Sequence, residues 1–309
     1  MSIFVSVAAY RDPELVPTVL DCLAKADRPD ELHVVVNWQH RGDEDVSPLL
    51  ADPRVEVLDF DARQSRGVCW ARAEIQKRFD GSDWYLQVDS HTRFAAGWDT
   101  RLIAAAGRTG AAKPIVTCYP PTYEPGAEFT GEGQPTRIYL KRWTEDGLLK
   151  FGHSSIPGWK QLTAPVRARF LAAGFLFAPG SFVRDVPYDP QIYFQGEEIN
   201  LATRAFTWGY DLFHPVEVLA WHFYIRKEHT RHWNDHREPG ANHWFTLDKA
   251  GRRRVYNLLR YPSVGGFGSG PVRSMAEYEA YAGVDFRAGT ATPEAMAGDA
   301  PADPALVAA

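Results

Sequence analysis

The chain opens on an uninterrupted apolar run, Ile3-Phe4-Val5-Ser6-Val7-Ala8-Ala9, which reads as a strand covered on both faces. Asp12-Pro13-Glu14 then supplies an N-cap, a proline for the first helical position and an acid for the first turn. Leu15, Val16, Val19, Leu20 and Leu23 follow at helical spacing. Residues 32–36 and 55–58 read as a second and a third strand. Between 67 and 79 the positions Val68, Ala71, Ile75 and Phe79 predict an amphipathic helix, and residues 84–88 a further strand ending at Asp89. Apolar runs alternating with helical patterns predict an α/β fold with a parallel sheet and crossover helices. In such sheets ligands bind beyond the carboxyl ends of the strands, which is where Asp89 falls.

Beyond Asp89 the pattern loosens. Residues 98–106 read as a helix, 115–118 as a strand, and 120–132, rich in Pro, Gly, Thr and Glu, as a long loop. Residues 137–143 alternate like a strand, and 170–177 form another apolar segment. Gly196 opens a helix through about Trp208, with Ile199, Ala202 and Phe206 on one face, and 216–223 reads as a late strand. Residues 229–242 are charged and aromatic with little periodicity, which suits a mobile flap over a site. From Gly289 onward Ala, Pro, Gly and Thr dominate, so residues 289–309 are expected to be a disordered tail behind one domain spanning 1–288.

Composition narrows the function classes. A formal charge of -5 argues against a general nucleic-acid binder, and the basic runs Arg252-Arg253-Arg254 and Arg226-Lys227 read as solvated faces. The cysteines Cys22, Cys69 and Cys118 are too few and too scattered for a disulfide framework or a zinc site. With no signal-like start and no apolar run of the roughly 20 residues a membrane span needs, a cytoplasmic location is expected.

Several small groups can carry chemistry. Asp89-Ser90-His91 offers a carboxylate and an imidazole to one divalent cation, a mixed set suited to Mn²⁺, although such a tripeptide often does no more than turn the chain after a strand. His222, in Ala220-Trp221-His222-Phe223-Tyr224, reads as a core histidine unless the fold brings it to Asp89. Glu197 and Glu198 open a helix, where the dipole favours acids; they are also candidates to act beside a sugar. Gly174 permits close approach of backbone to a ligand. Arg66-Gly67 and Arg72 stand at and just inside a helix start, a setting that favours an anion. Tyr10-Arg11-Asp12 follows the first strand, where a base or ribose would be held.

The order of these groups resembles GT-A glycosyltransferases, specifically the cytoplasmic hydroxyproline-linked N-acetylglucosaminyltransferases of glycosyltransferase family 60. Polypeptide N-acetylgalactosaminyltransferases are more distantly similar over the same landmarks. The matching stretches include Ser6-Val7-Ala8-Ala9-Tyr10-Arg11-Asp12-Pro13, Arg66-Gly67-Val68-Cys69-Trp70-Ala71-Arg72 and Gln87-Val88-Asp89-Ser90-His91-Thr92-Arg93-Phe94. Ala172-Ala173-Gly174-Phe175-Leu176-Phe177, Tyr193-Phe194-Gln195-Gly196-Glu197-Glu198, Trp208-Gly209-Tyr210-Asp211 and His222-Phe223-Tyr224 with Arg226 continue the series.

The resemblance implies a Rossmann-like nucleotide-sugar fold with a mixed central sheet. It makes Asp89, His91 and His222 the ligands of Mn²⁺ (or Mg²⁺), and places Tyr10 and Arg11 at uracil and ribose. Arg66 and Arg72 fall near the ribose-phosphate, with Gly174 close to the donor, and Glu197 and Glu198 by donor sugar and acceptor. It implies transfer of a hexose or N-acetylhexosamine, GlcNAc favoured, from a UDP-sugar to a hydroxyl on a protein, peptide or small molecule, with retention. Hydrolysis of a nucleotide sugar, or binding without catalysis, would use the same site. The chain departs from the N-acetylgalactosaminyltransferases in showing neither their membrane anchor nor their sugar-binding module, so their protein acceptors do not carry over.

Overall fold

The computed structural model describes residues 1–42, 44–127, 129–225, 229–239 and 242–304. Strands β1 (Ile3–Tyr10), β2 (Leu32–His40), β3 (Val55–Asp61) and β4 (Trp84–Asp89) lie parallel in the spatial order β3-β2-β1-β4. They are linked through helix α1 (Leu15–Lys25), the single turn α2 (Ser47–Leu50) and helix α3 (Val68–Gln76). A short β5 (Thr92–Phe94) and helix α4 (Trp98–Arg108) follow, then β6 (Pro114–Thr117). Strands β7 (Thr136–Trp143) and β8 (Leu149–Ser155) form an antiparallel hairpin outside the main sheet. Strands β9 (Val166–Arg167), β10 (Phe175–Pro179) and β11 (Asp211–His214) complete an eight-stranded sheet in the order β3-β2-β1-β4-β10-β6-β11-β9.

The sheet is mixed because β10 runs antiparallel between β4 and β6. That insertion puts Gly174 beside the end of β4, where its carbonyl accepts the Asp89 N–H at 3.2 Å. Alternation along β1 builds the two faces. Ile3, Val5, Val7 and Ala9 pack with Leu15, Val19 and Leu23 of α1 and with Trp98 and Leu102 of α4. Phe4 faces the other layer, shared with Cys69 and Ile75 of α3. The single turn α5 (Ser181–Asp185) leads to α6 (Glu197–Thr207), whose Phe206 joins that second layer.

Strand β12 (Ala220–His222) pairs with β5, not with the main sheet, and is shorter than the strand expected over 216–223. After it come α7 (His232–Asp235), α8 (Trp244–Arg260) and α9 (Met275–Ala282). Helices α8 and α9, strand β8 and strand β11 were not apparent from the sequence pattern. The expected N-cap also moves: α1 starts at Leu15 with Glu14 as its cap residue, while Asp12 is buried and accepts from the Glu14 N–H at 3.0 Å.

The disordered tail expected from Gly289 is corrected as far as Pro304. Strand β13 (Val284–Asp285) pairs with β14 (Thr290–Ala291), and α10 (Pro293–Ala297) packs on β7. Arg137 and Arg167 then tie down Asp299 and Asp303. Low-complexity composition did not preclude order, because Thr292 caps α10 by accepting from Ala295 N–H and buried Ala295 joins the core. Residues 305–309 lie outside the described residues. No helix among the described residues is long and apolar enough to cross a membrane.

Gly67, ahead of α3, has φ +100°, and a Cβ there would lie 2.4 Å from the Tyr193 carbonyl oxygen that accepts the Val68 N–H. Gly67→Ala is therefore expected to cost about 2–3 kcal/mol, read as a melting temperature roughly 3–5 °C lower. An unchanged melting temperature would show that this close approach is dispensable.

Candidate active site

Strand β4 ends at Asp89, the next turn carries His91, and the β5–β12 pairing returns His222 to the same place. His222 Nε2 lies 3.1 Å from Asp89 Oδ2, and His91 Nε2 lies 3.9 Å from that oxygen. The two imidazole centroids are 4.6 Å apart. One ligand atom from each of the three residues falls within 4.8 Å of the others, so the group can hold a metal ion. One carboxylate and two imidazoles suit Mn²⁺ better than a site made for Ca²⁺ or Mg²⁺, which prefer oxygen throughout.

The other Asp89 oxygen faces Arg72. The buried guanidinium reaches Asp89 Oδ1 at 2.6 Å through Nη2 and Glu197 Oε1 at 2.5 Å through Nη1. Burial opposes charge on Asp89, but the His222 hydrogen bond and the Arg72 guanidinium outweigh it and hold the carboxyl well below the usual carboxylate range. Gly174 closes the approach: a Cβ there would sit 2.8 Å from Asp89 Oδ2.

The two acids opening α6 occupy different surroundings. Glu197 is neutralised by Arg72. Glu198 accepts the Tyr119 hydroxyl at 2.5 Å and the Ala173 N–H at 3.1 Å. Among the described residues no cation is paired with it, and burial pushes its carboxyl up to about 7. Asp89, Arg72, Gly174, Glu197, Glu198 and His222 line a cavity of about 240 Å³, which Tyr119, Leu149, Phe151, Phe194 and Tyr224 make apolar elsewhere.

Tyr10 lines a second cavity of about 110 Å³ with Gln39, Gly67, Tyr193 and His232; Val68 and Phe194 border both cavities. The Tyr10 hydroxyl donates to Asp235 Oδ2 at 2.8 Å, and Arg11 Nη1 contacts both oxygens of the same carboxylate at 2.9 Å. The segment read as a flap thus includes a helical turn packed against β1, with His232 Nδ1 2.7 Å from the Tyr193 hydroxyl. Gly240 and Ala241 of that segment, and the run Arg226-Lys227, lie outside the described residues. Arg66 is exposed and lines neither cavity, although Gly67 beside it lines the smaller one.

Sequence reasoning missed Tyr119, Tyr224 and Asp235 around the cavities, and it assigned Asp12 to a helix cap and to the edge where a base or ribose would be held. Asp12 instead points one oxygen at His91 Nδ1, 2.7 Å away. For Tyr119 and Asp235 no local signal existed: each acts through a partner far along the chain.

The model of a family described as Glycosyltransferase (GlcNAc) matches residues 2–53 and 43–288 in two overlapping segments. Among solved structures, GalNAc-T7, crystallised with UDP, GalNAc and Mn²⁺, superposes with a TM-score of 0.57 at 14% identity, covering 90% of this chain and 54% of that one. S. aureus TarS superposes with a TM-score of 0.51 at 11% identity, covering 91% of this chain and 42% of that one. The chain thus spans only about half of either protein, and the likeness shows a shared GT-A fold. Comparison with curated proteins finds no match.

Glu198 makes the stability of the fold depend on pH. Its folded carboxyl titrates near 7, above the ordinary value of 4.5, so its unfavourable contribution grows as pH rises between those values and is complete above about 7. Glu198→Gln should therefore gain melting temperature relative to wild type at pH 8 and little at pH 4.5. An equal effect at both pH values would mean that the Tyr119 and Ala173 bonds, not burial, dominate its energetics.

Proposed function

The chain belongs to the Glycosyltransferase (GlcNAc) family, and we propose that it transfers a hexose or N-acetylhexosamine, GlcNAc by preference, from a UDP-sugar to a hydroxyl acceptor. The observation that carries the proposal is the convergence of Asp89, His91 and His222 at the carboxyl edge of the sheet, although His222 lies 133 residues beyond Asp89 in sequence.

In this reading Asp89, His91 and His222 would hold a divalent cation, Mn²⁺ by ligand type. When bound, such an ion stabilises the negative charge that develops on the departing diphosphate. Arg72 keeps Asp89 ionised and turned toward the histidines. The donor sugar lies against Gly174, where the missing side chain leaves room beside Asp89. Glu197, held by Arg72, and Glu198, held by Tyr119, present acids to sugar and acceptor hydroxyls. Tyr10, fixed by Asp235, offers its ring to the uracil from the smaller cavity, and Arg11 stands beside it for the ribose. Retention follows from the family resemblance, with the departing phosphate oxygen taking the acceptor's proton.

The apolar lining of Leu149, Phe151 and Tyr224 supports an acceptor whose hydroxyl is borne on a ring or short apolar group, on a protein, peptide or small molecule. A hydroxyproline ring, suggested by resemblance to the family 60 enzymes, meets that description.

A thermal-shift panel of UDP-, GDP- and TDP-sugars with and without Mn²⁺ tests the donor. UDP-GlcNAc with Mn²⁺ should stabilise most, and His222→Ala should remove the metal-dependent part. Equal stabilisation by the other nucleotides would overturn the placement of uracil at Tyr10. With an acceptor in hand, Phe151→Ala should raise its KM while leaving acceptor-free UDP release unchanged. A fall in both would place Phe151 with the donor, and inversion of the product anomer in an NMR spectrum would remove the retaining mechanism.

A further inference from the structure

The carboxylate behind the triad belongs to a residue that the sequence pattern assigned to a helix cap. We infer that Asp12 is a positioning residue for the metal site: it fixes His91 in the tautomer whose Nε2 faces Asp89 and His222. The inference rests on the proposed metal-binding role of Asp89, His91 and His222.

The His91 ring is buried between two carboxylates. Its Nδ1 lies 2.7 Å from Asp12 Oδ2, and its Nε2 faces Asp89 Oδ2 at 3.9 Å. An ionised carboxylate only accepts hydrogen bonds, so a contact this short puts the proton on Nδ1. A neutral imidazole has one N–H, so Nε2 is left with the lone pair that a cation needs. This is the arrangement by which a carboxylate behind a ligating histidine sets ring orientation and raises ligand basicity.

Asp12 is itself immobilised. Its side chain is only 1% exposed. Oδ2 also accepts the Ser90 hydroxyl at 2.7 Å, and Oδ1 accepts the Glu14 N–H at 3.0 Å. The helix that Asp12 precedes clamps the same segment further along. Thr18 Oγ1 donates to the Ser90 carbonyl at 2.8 Å and accepts the Thr92 N–H at 3.0 Å, and Asp21 Oδ2 accepts the Phe94 N–H at 2.7 Å. Asp12 and α1 therefore form one rigid support under residues 90–94, and Asp12 is its contact with the ligating ring.

The experiment combines Mn²⁺ binding, followed by electron paramagnetic resonance without nucleotide, with ¹⁵N NMR of histidine tautomers in metal-free protein. In the wild type His91 should be protonated at Nδ1, and Asp12→Asn should give a mixture of tautomers. Asp12→Asn should weaken Mn²⁺ binding roughly 10–100-fold. In a His91→Ala background the same substitution should change Mn²⁺ affinity by less than about threefold, a result that general loosening of the fold would not produce. A wild-type His91 protonated at Nε2 would overturn the inference, as would equal losses in both backgrounds. Wild-type binding that Asp12→Asn leaves intact would overturn this inference alone; no wild-type Mn²⁺ binding would remove the metal reading with it.

Discussion

One buried guanidinium organises the site. Arg72 comes from α3, Asp89 from the end of β4 and Glu197 from the start of α6, and the two carboxylates share its one positive charge. Burying an arginine is costly unless its charge is matched; breaking such a pair typically costs about 3–5 kcal/mol because a charge is left behind. Here the match is doubled, and the geometry of the pairing divides Asp89 between two tasks. One oxygen is anchored to Arg72, and the other is left toward His91 and His222. Without that anchor, Asp89 and Glu197 would stand near Glu198 with no guanidinium between them.

The mixed sheet serves the same end. Parallel β1 and β4 carry Tyr10 and Asp89 to one edge. Antiparallel β10 enters beside β4 and delivers Gly174 against Asp89. His222 arrives by a third route, a small sheet outside the main one, reinforced by a bridge from Thr122. Three local solutions to backbone hydrogen bonding thus meet at a few ångströms, and none of them alone would make a ligand set.

Neighbouring acids in the sequence are not equivalent in space. Glu197 and Glu198 project from adjacent positions of one helix start, yet among the described residues a cation pairs with Glu197 and not with Glu198. Glu198 is stabilised by a hydroxyl and an amide, which do not offset burial, and its carboxyl rises to about 7.

Sequence alone determined what depends on local periodicity and short motifs: the α/β alternation through Asp89, the strand ends where Tyr10 and Asp89 fall, the helices opening near Gly67 and Gly196, and the order of landmarks that marks a glycosyltransferase. It misjudged elements whose order comes from contacts rather than composition, such as residues 290–297, and it missed β8 and β11, whose pairing partners settle what their own residues leave open. The tertiary structure decided that His222 belongs with Asp89, that Arg66 is exposed outside both cavities, and that Asp12 faces His91. Those outcomes follow from long-range strand pairing and from the charge and hydrogen-bond balance of buried groups. Neither has a periodicity to read along the chain.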